Sequence, residues 1–241
     1  MLWRKWHNEE HHGNTQVQGR DPDAYSTFEQ YQQRRALRIL HRLVPMKSIL
    51  FFVLLSLWLS VHALIVLIHT LPRLRWRSRL LLAGETLAAI LFWTGLGVVF
   101  GWRDFPFFFV IPLLIGNFVL MSYIATNHLL NPLLEEDDPL AGSLTVTAPK
   151  LFDILHANFS HHTEHHIFPA MSAKYLPYVK RLLKELWPDR YHEMSLWQAL
   201  GMLWRTPRLY LDNVHTIDPR SGKAYGVLGH GLDPNRQGAF E

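Results

Sequence analysis

Three long apolar stretches dominate the alternation of hydrophobic and polar positions along the chain. They run from Ser48 to Thr70, from Leu80 to Trp102 with Glu85 as an interruption, and from Phe105 to Leu130. Each exceeds the roughly 20 residues a helix needs to cross a hydrocarbon core. Ahead of them, TFEQYQQRRALRILHRL places Phe28, Tyr31, Leu37, Leu40 and Val44 near one face, the pattern of an amphipathic helix lying along an interface. From Asn131 onward the chain is aqueous in character: NPLLEEDDPLAGS reads as a turn-rich connector, YLPYVKRLLKELWP as an amphipathic helix closed by Pro188, and the Gly- and Pro-rich tail as loosely ordered toward its end. There is no internal repeat.

Composition sharpens this picture. Hydrophobic residues make up 49% of the 241 and charged residues only 18%, below the roughly 25% of an ordinary soluble domain. The absence of cysteine excludes a disulfide framework, a thiolate zinc site and a cysteine-ligated iron–sulfur cluster. Any metal must sit on imidazole and oxygen. The net charge of +4 comes partly from arginines beside the apolar stretches, which suits an anionic membrane face better than nucleic acid. The opening MLWRKWHNEEHH carries charge without the apolar core of a secretory signal.

Two compact histidine clusters stand out among 15 histidines: WHNEEHHGN near the start and FSHHTEHHIFP after the third apolar stretch. At about 100° per helical residue, His162, His165 and His166 share one arc and can face a common centre; His7 and His11 stack at i, i+4, and His12 stands one position round to reach a second ion. Imidazole suits iron, copper, zinc and nickel, and two triplets suit two metals better than one. His128, at the end of the third stretch, is placed to join them. His41, His62, His69, His192, His215 and His230 read as ordinary core or surface residues; His156 and His161 are intermediate. Glu135 to Asp138 read as a solvated loop, and Glu85 as a residue that snorkels or pairs with nearby arginines. Asp21 and Asp23 are suited either to orienting ligands or to forming a turn.

If both clusters build one site, an even number of membrane crossings separates them. Arginines flank both ends of the first stretch, in QRRALRILHR and RLRWRSR, so the positive-inside rule makes that stretch interfacial or re-entrant, with the second and third forming the hairpin. Three true spans are the alternative.

HNEEHH and the HTEHH within NFSHHTEHHIFP resemble the second and third histidine boxes of the membrane fatty acid desaturases, and GRDPD and TNHLLNP are also similar to that family. The resemblance covers nearly the whole chain. It implies an all-α integral membrane helical bundle with a cytoplasmic histidine-rich cap. The single domain, 1–241, would comprise the cytoplasmic second histidine box and an interfacial helix over 1–45, membrane segments over 46–130, and the cytoplasmic third histidine box with the C-terminal cap over 131–241. It implies two iron ions on His7, His11, His12, His128, His162, His165 and His166, dioxygen as co-substrate, a lipid-, CoA- or carrier-linked acyl chain as substrate, and an external ferredoxin or cytochrome as electron donor. A related hydroxylase of alkane, sterol or carotenoid, and an inactive metal- or lipid-binding relative, are the competing readings. The family's earlier HxxxH-type box has no counterpart here, since only six residues precede His7; the expectation is a C-terminal portion of a desaturase with little activity alone.

Overall fold

The computed structural model describes residues 4–232; the last nine positions of the tail expected to be loosely ordered lie outside them. A π-helical turn, Arg4–His11, carries the first histidines. The predicted amphipathic helix forms as two pieces, α1 (Phe28–Gln33) and α2 (Arg35–Leu43). The break falls at Arg34, whose backbone is extended at φ −105° and ψ 114°. Thr27 opens α1 with a capping box: its side chain accepts from the Gln30 N–H while the Gln30 side chain accepts from the Thr27 N–H.

Three helices follow the apolar stretches: α3 (Leu50–Thr70), α4 (Trp76–Phe100) and α5 (Ile111–His128). With their flanking turns, all three are long and apolar enough to cross a membrane. The first stretch shows no break at which a re-entrant segment would turn back. Leu50–Thr70 is one unbroken helix of 21 residues, about 30 Å long at 1.5 Å per residue. It packs lengthwise on α5. Phe51 and Leu55 share a core with Met121, Tyr123 and Ala125, while Asn117 donates to the Ser56 carbonyl at 3.1 Å and to Ser60 Oγ at 2.9 Å; α3 and α5 therefore run in opposite directions. Helix α4 stands apart, with only Leu82 and Gly97 buried along it. A helix apolar all round and buried on neither side suits hydrocarbon. The packed pair is thus the first and third stretches rather than the second and third, because side-chain complementarity, which hydropathy does not encode, selects partners.

The cap folds over the end of the pair where α3 begins and α5 finishes. It holds α6 (Pro139–Gly142), α7 (Lys150–Leu155), α8 (His162–Ile167), α9 (Leu176–Leu186) and α10 (Leu196–Arg205). Helix α9 ends before Pro188, as the pattern predicts. The all-α expectation needs one correction: four short strands are present, β1 (Thr145–Thr147) parallel to β2 (Glu193–Ser195), and β3 (His215–Ile217) antiparallel to β4 (Ala224–Gly226). Three residues carry too little periodicity to be read from sequence. Leu144, Val146, Met194, Leu196, Ala199, Leu200 and Leu203 join the α3–α5 core, each large apolar side chain contributing about 1.5–3 kcal/mol on burial.

Candidate metal centre

Three elements bring the seven expected histidines together. Helix α5 delivers His128 at its last residue. Helix α8 delivers His162, His165 and His166 after a turn in which Ala157 and Asn158 take positive φ, 52° and 58°. That conformation is uncommon for alanine; Asn158 anchors it by donating to the Ala173 carbonyl at 2.9 Å. The Arg4–His11 turn delivers the rest. Its wider winding is closed by a hydrogen bond from His12 N to the His7 carbonyl at 3.0 Å, the five-residue step of a π-helix.

The side chains sort into groups whose ligand atoms lie within 4.8 Å of one another: His11, His128, His162 and His166 in one, His7, His12 and His165 in another, and an overlapping set of His7, His11 and Asp23 that links the two. The division departs from expectation in splitting His165 from His162 and His166, while His7 and His11 do meet in the set with Asp23. The π-winding pairs His7 with His12, Nε2 to Nε2 at 3.2 Å, and sends His11 to the other group. Along α8, the i, i+4 pair His162 and His166 face one centre, with Nε2 atoms 3.1 Å apart, while His165 turns to the second. His128 Nε2 approaches His162 Nε2 at 2.7 Å and His11 Nε2 at 3.3 Å.

Outer contacts explain why Nε2 points inward. His11 Nδ1 donates to Asp21 Oδ1 at 2.9 Å, His166 Nδ1 donates to Thr15 Oγ1 at 2.8 Å, and His128 Nδ1 donates to the Gly142 carbonyl at 3.3 Å. Occupying Nδ1–H this way leaves the Nε2 lone pair for a metal. Asp21 also accepts the backbone N–H groups of Gln16 at 2.7 Å and Asp23 at 2.9 Å, so it orients a candidate ligand and forms a turn at once. Asp23 accepts from Trp6 Nε1 and His62 Nε2, both at 2.9 Å; His62 is thereby tied to the edge of the site rather than being an ordinary membrane-helix histidine. His156 bonds Tyr123 and His161 bonds Ser160, and neither joins the two groups.

Burial sets the protonation of the cluster. It pushes His7 down to about 4 and His12 down to about 3, with neighbouring imidazoles adding to the effect. Burial likewise holds His162 and His166 well below the ordinary value and lowers His165. His11 is the exception: burial opposes its charged form, but the Asp21 hydrogen bond and the surrounding carboxylates raise it. At neutral pH most of the cluster is uncharged, which is the form that ligates a metal.

The residues fit a pair of ions. Donors held at about 2.1 Å from one ion lie at most about 4.2 Å apart, so each group needs only slight contraction. Neutral imidazoles cannot satisfy four mutually facing ring nitrogens by N–H···N bonds alone, and the buried Nδ1 atoms of His12 and His162 have no hydrogen-bond partner; a central cation resolves the crowding of lone pairs.

Several supporting residues carry little sequence signal. Thr15 links His166 to the acidic connector by donating its N–H to Asp137 at 2.9 Å, and Asp138 pairs with Arg190; the run is otherwise exposed, as expected of a solvated loop. Gln16, wholly buried at φ 58°, contacts the His128 carbonyl and Tyr210. Glu164, between the α8 histidines and also wholly buried, accepts from Tyr191 at 2.6 Å and Thr145 at 2.7 Å. Its place inside HTEHH was the only available hint.

A cavity of about 320 Å³ opens beside the histidines, bounded by α2, α3 and α5. His7, His11, His128 and His162 form one flank, and Leu37, Leu40, Leu54, Leu55, Trp58 and Leu59 are among its apolar walls. Along α3 it reaches from Phe51 to Ile65, about 21 Å at helical rise. Residues 2–197 match a family model described as fatty acid desaturase. No curated protein matches the chain.

Proposed function

Because the chain belongs to the fatty acid desaturase family, we propose that it takes part in oxygen-dependent desaturation of an acyl chain, with iron on the two histidine groups. The observation that carries this reading is the adjacency of the seven imidazoles to a long apolar cavity. His11, His128, His162 and His166 would hold one ion and His7, His12 and His165 the other. Bound iron supplies the oxidising power needed to remove hydrogens from an unactivated methylene when dioxygen and electrons arrive.

The chain's own residues do the positioning. Leu54, Leu55, Trp58 and Leu59 hold an apolar chain straight beside the histidine flank and exclude water from it. Asp21, Thr15 and the Gly142 carbonyl keep Nδ1 protons outward and Nε2 lone pairs inward. The three-imidazole group is the more open, leaving positions for an exogenous ligand. A ferredoxin or cytochrome is the proposed donor, a lipid-, CoA- or carrier-linked acyl chain the substrate, and the cytoplasm the side on which the cap lies. The whole of 1–241 is taken as one domain: second histidine box and interfacial helices, membrane segments, and third histidine box with the cap.

Mass-spectrometric analysis of membranes expressing the chain with an electron donor tests the reaction. A new alkene lost in the His162→Ala variant supports desaturation, an alcohol product transfers the reading to a hydroxylase, and the absence of any oxygen-dependent product refutes it. Metal analysis of purified protein tests the site independently: about two ions per chain are expected, with His166→Ala and His12→Ala each losing a different one.

A further inference from the structure

The cavity has one cationic end that the metal centre does not explain. Arg208 lies just past α10, beyond the family-matched residues, and lines the cavity where α2 meets α3. It is only 8% exposed. Its Nη2 donates to the Val44 carbonyl, and its guanidinium sits 5.3 Å above the Phe51 ring. Its Nη1 is buried and without a hydrogen-bond partner. Among the described residues no carboxylate pairs with it. The Asp218 carboxylate contributes a favourable charge but accepts instead from the Arg220 N–H and Ser221 Oγ.

A buried guanidinium with an unpartnered N–H and no carboxylate in ion-pair contact is costly unless something else supplies the anion. Arg34 lines the same cavity as Arg208, so two guanidiniums supply its positive charge; His41, held down to about 4 chiefly by burial, adds none at neutral pH. Beyond this end the walls are largely apolar, apart from the histidine flank with Asp23 and His62. A cation at one end of a narrow hydrocarbon bore matches an amphiphile.

We propose that Arg208 receives the anionic oxygens at the head of an acyl chain, a phosphate of its lipid, CoA or carrier group for which a free carboxylate is the simplest probe, through Nη1, and so fixes how far the chain extends past the histidines. The inference rests on the acyl reading of the cavity and adds the head chemistry. It makes Arg208 a residue that sets register: with the head pinned, the methylene beside the histidine flank is decided by its distance from the head.

Equilibrium binding of radiolabelled stearate and of methyl stearate to the purified full chain in nanodiscs is the test, with wild type, Arg208→Gln and Arg208→Lys compared. Wild type is expected to bind stearate at least about tenfold more tightly than the ester, the scale of one charge-assisted hydrogen bond. Arg208→Gln is expected to lose that preference with ester affinity retained, and Arg208→Lys to keep part of it. Competition by stearoyl lysophosphatidate against stearate then ranks phosphate and carboxylate as the source of the anion. Equal affinity for acid and ester in wild type overturns the proposal, as does an equal loss of both ligands in both variants, which would make Arg208 only a peg for Val44. Because binding is read without turnover, a failure to find any alkene product would leave this result standing and would count against the desaturase reading alone.

Discussion

Replacing Asp21 by asparagine separates orientation from ligation in the four-imidazole group. Asp21 Oδ1 receives His11 Nδ1–H at 2.9 Å and the Asp23 N–H at 2.9 Å, while Oδ2 receives the Gln16 N–H at 2.7 Å. All three partners donate, so a carboxylate satisfies them and an amide cannot. In Asp21→Asn the amide NH2 faces one of these donors in either orientation. If it faces His11, the imidazole must carry its proton on Nε2, which is the atom aimed at the metal; if it faces Gln16, the turn that carries Thr15 is displaced. Loss of such an outer partner typically weakens metal binding 10- to 100-fold, about 1.4 to 2.8 kcal/mol. Competition between the protein and a chelator for ferrous ion, at about pH 8 where ordinary histidines are deprotonated, measures it. Two affinity classes are expected in wild type, and only the class belonging to His11, His128, His162 and His166 should weaken. Unchanged affinity in both classes, or equal weakening of both, would refute the assignment of Asp21 to one ion.

Stability of the metal-free protein should fall with acidification: burial lowers His7 to about 4 and His12 to about 3 from 6.5 unfolded, so the unfolded chain binds more protons below about pH 6.5 and stability is lost progressively from there toward pH 3. Thermal midpoints between neutral and mildly acid pH check this, and a flat profile would contradict it. Glu164→Ala strands the buried Tyr191 and Thr145 hydroxyls and should destabilise the cap by about 2–6 kcal/mol, at about 1–3 kcal/mol per unsatisfied donor; an unchanged unfolding midpoint would show that water replaces the carboxylate. Because α3 is unbroken and begins at the cap, cysteines introduced singly at Arg77 and Glu185 should react with an impermeant thiol reagent from opposite faces of sealed vesicles. Labelling from one face would restore the interfacial reading of the first stretch.

The local chemistry was legible in the chain itself. Apolar runs of more than 20 residues, a proline-closed amphipathic helix and two histidine triplets each rest on short-range spacing, which survives without knowledge of partners. The seven histidines brought together are the seven that the clusters and the end of the third stretch designate. Their division was only partly legible: an α-helical projection puts His7 beside His11, which meet in the set with Asp23, but the π-winding of Arg4–His11 also brings His12 onto His7, and a helical projection does not foresee that winding. The pairing of α3 with α5 was misread for a related reason: arginine counts report on charge near a membrane, while Asn117 finding Ser56 and Ser60 is a matter of shape. Thr15 and Arg208 were invisible as single polar residues in polar or mixed surroundings, and Glu164 had only its place inside HTEHH. Only tertiary structure buries them beside the histidines or the cavity, and burial is what turns an ordinary hydrogen-bonding group into one whose partner is obligatory.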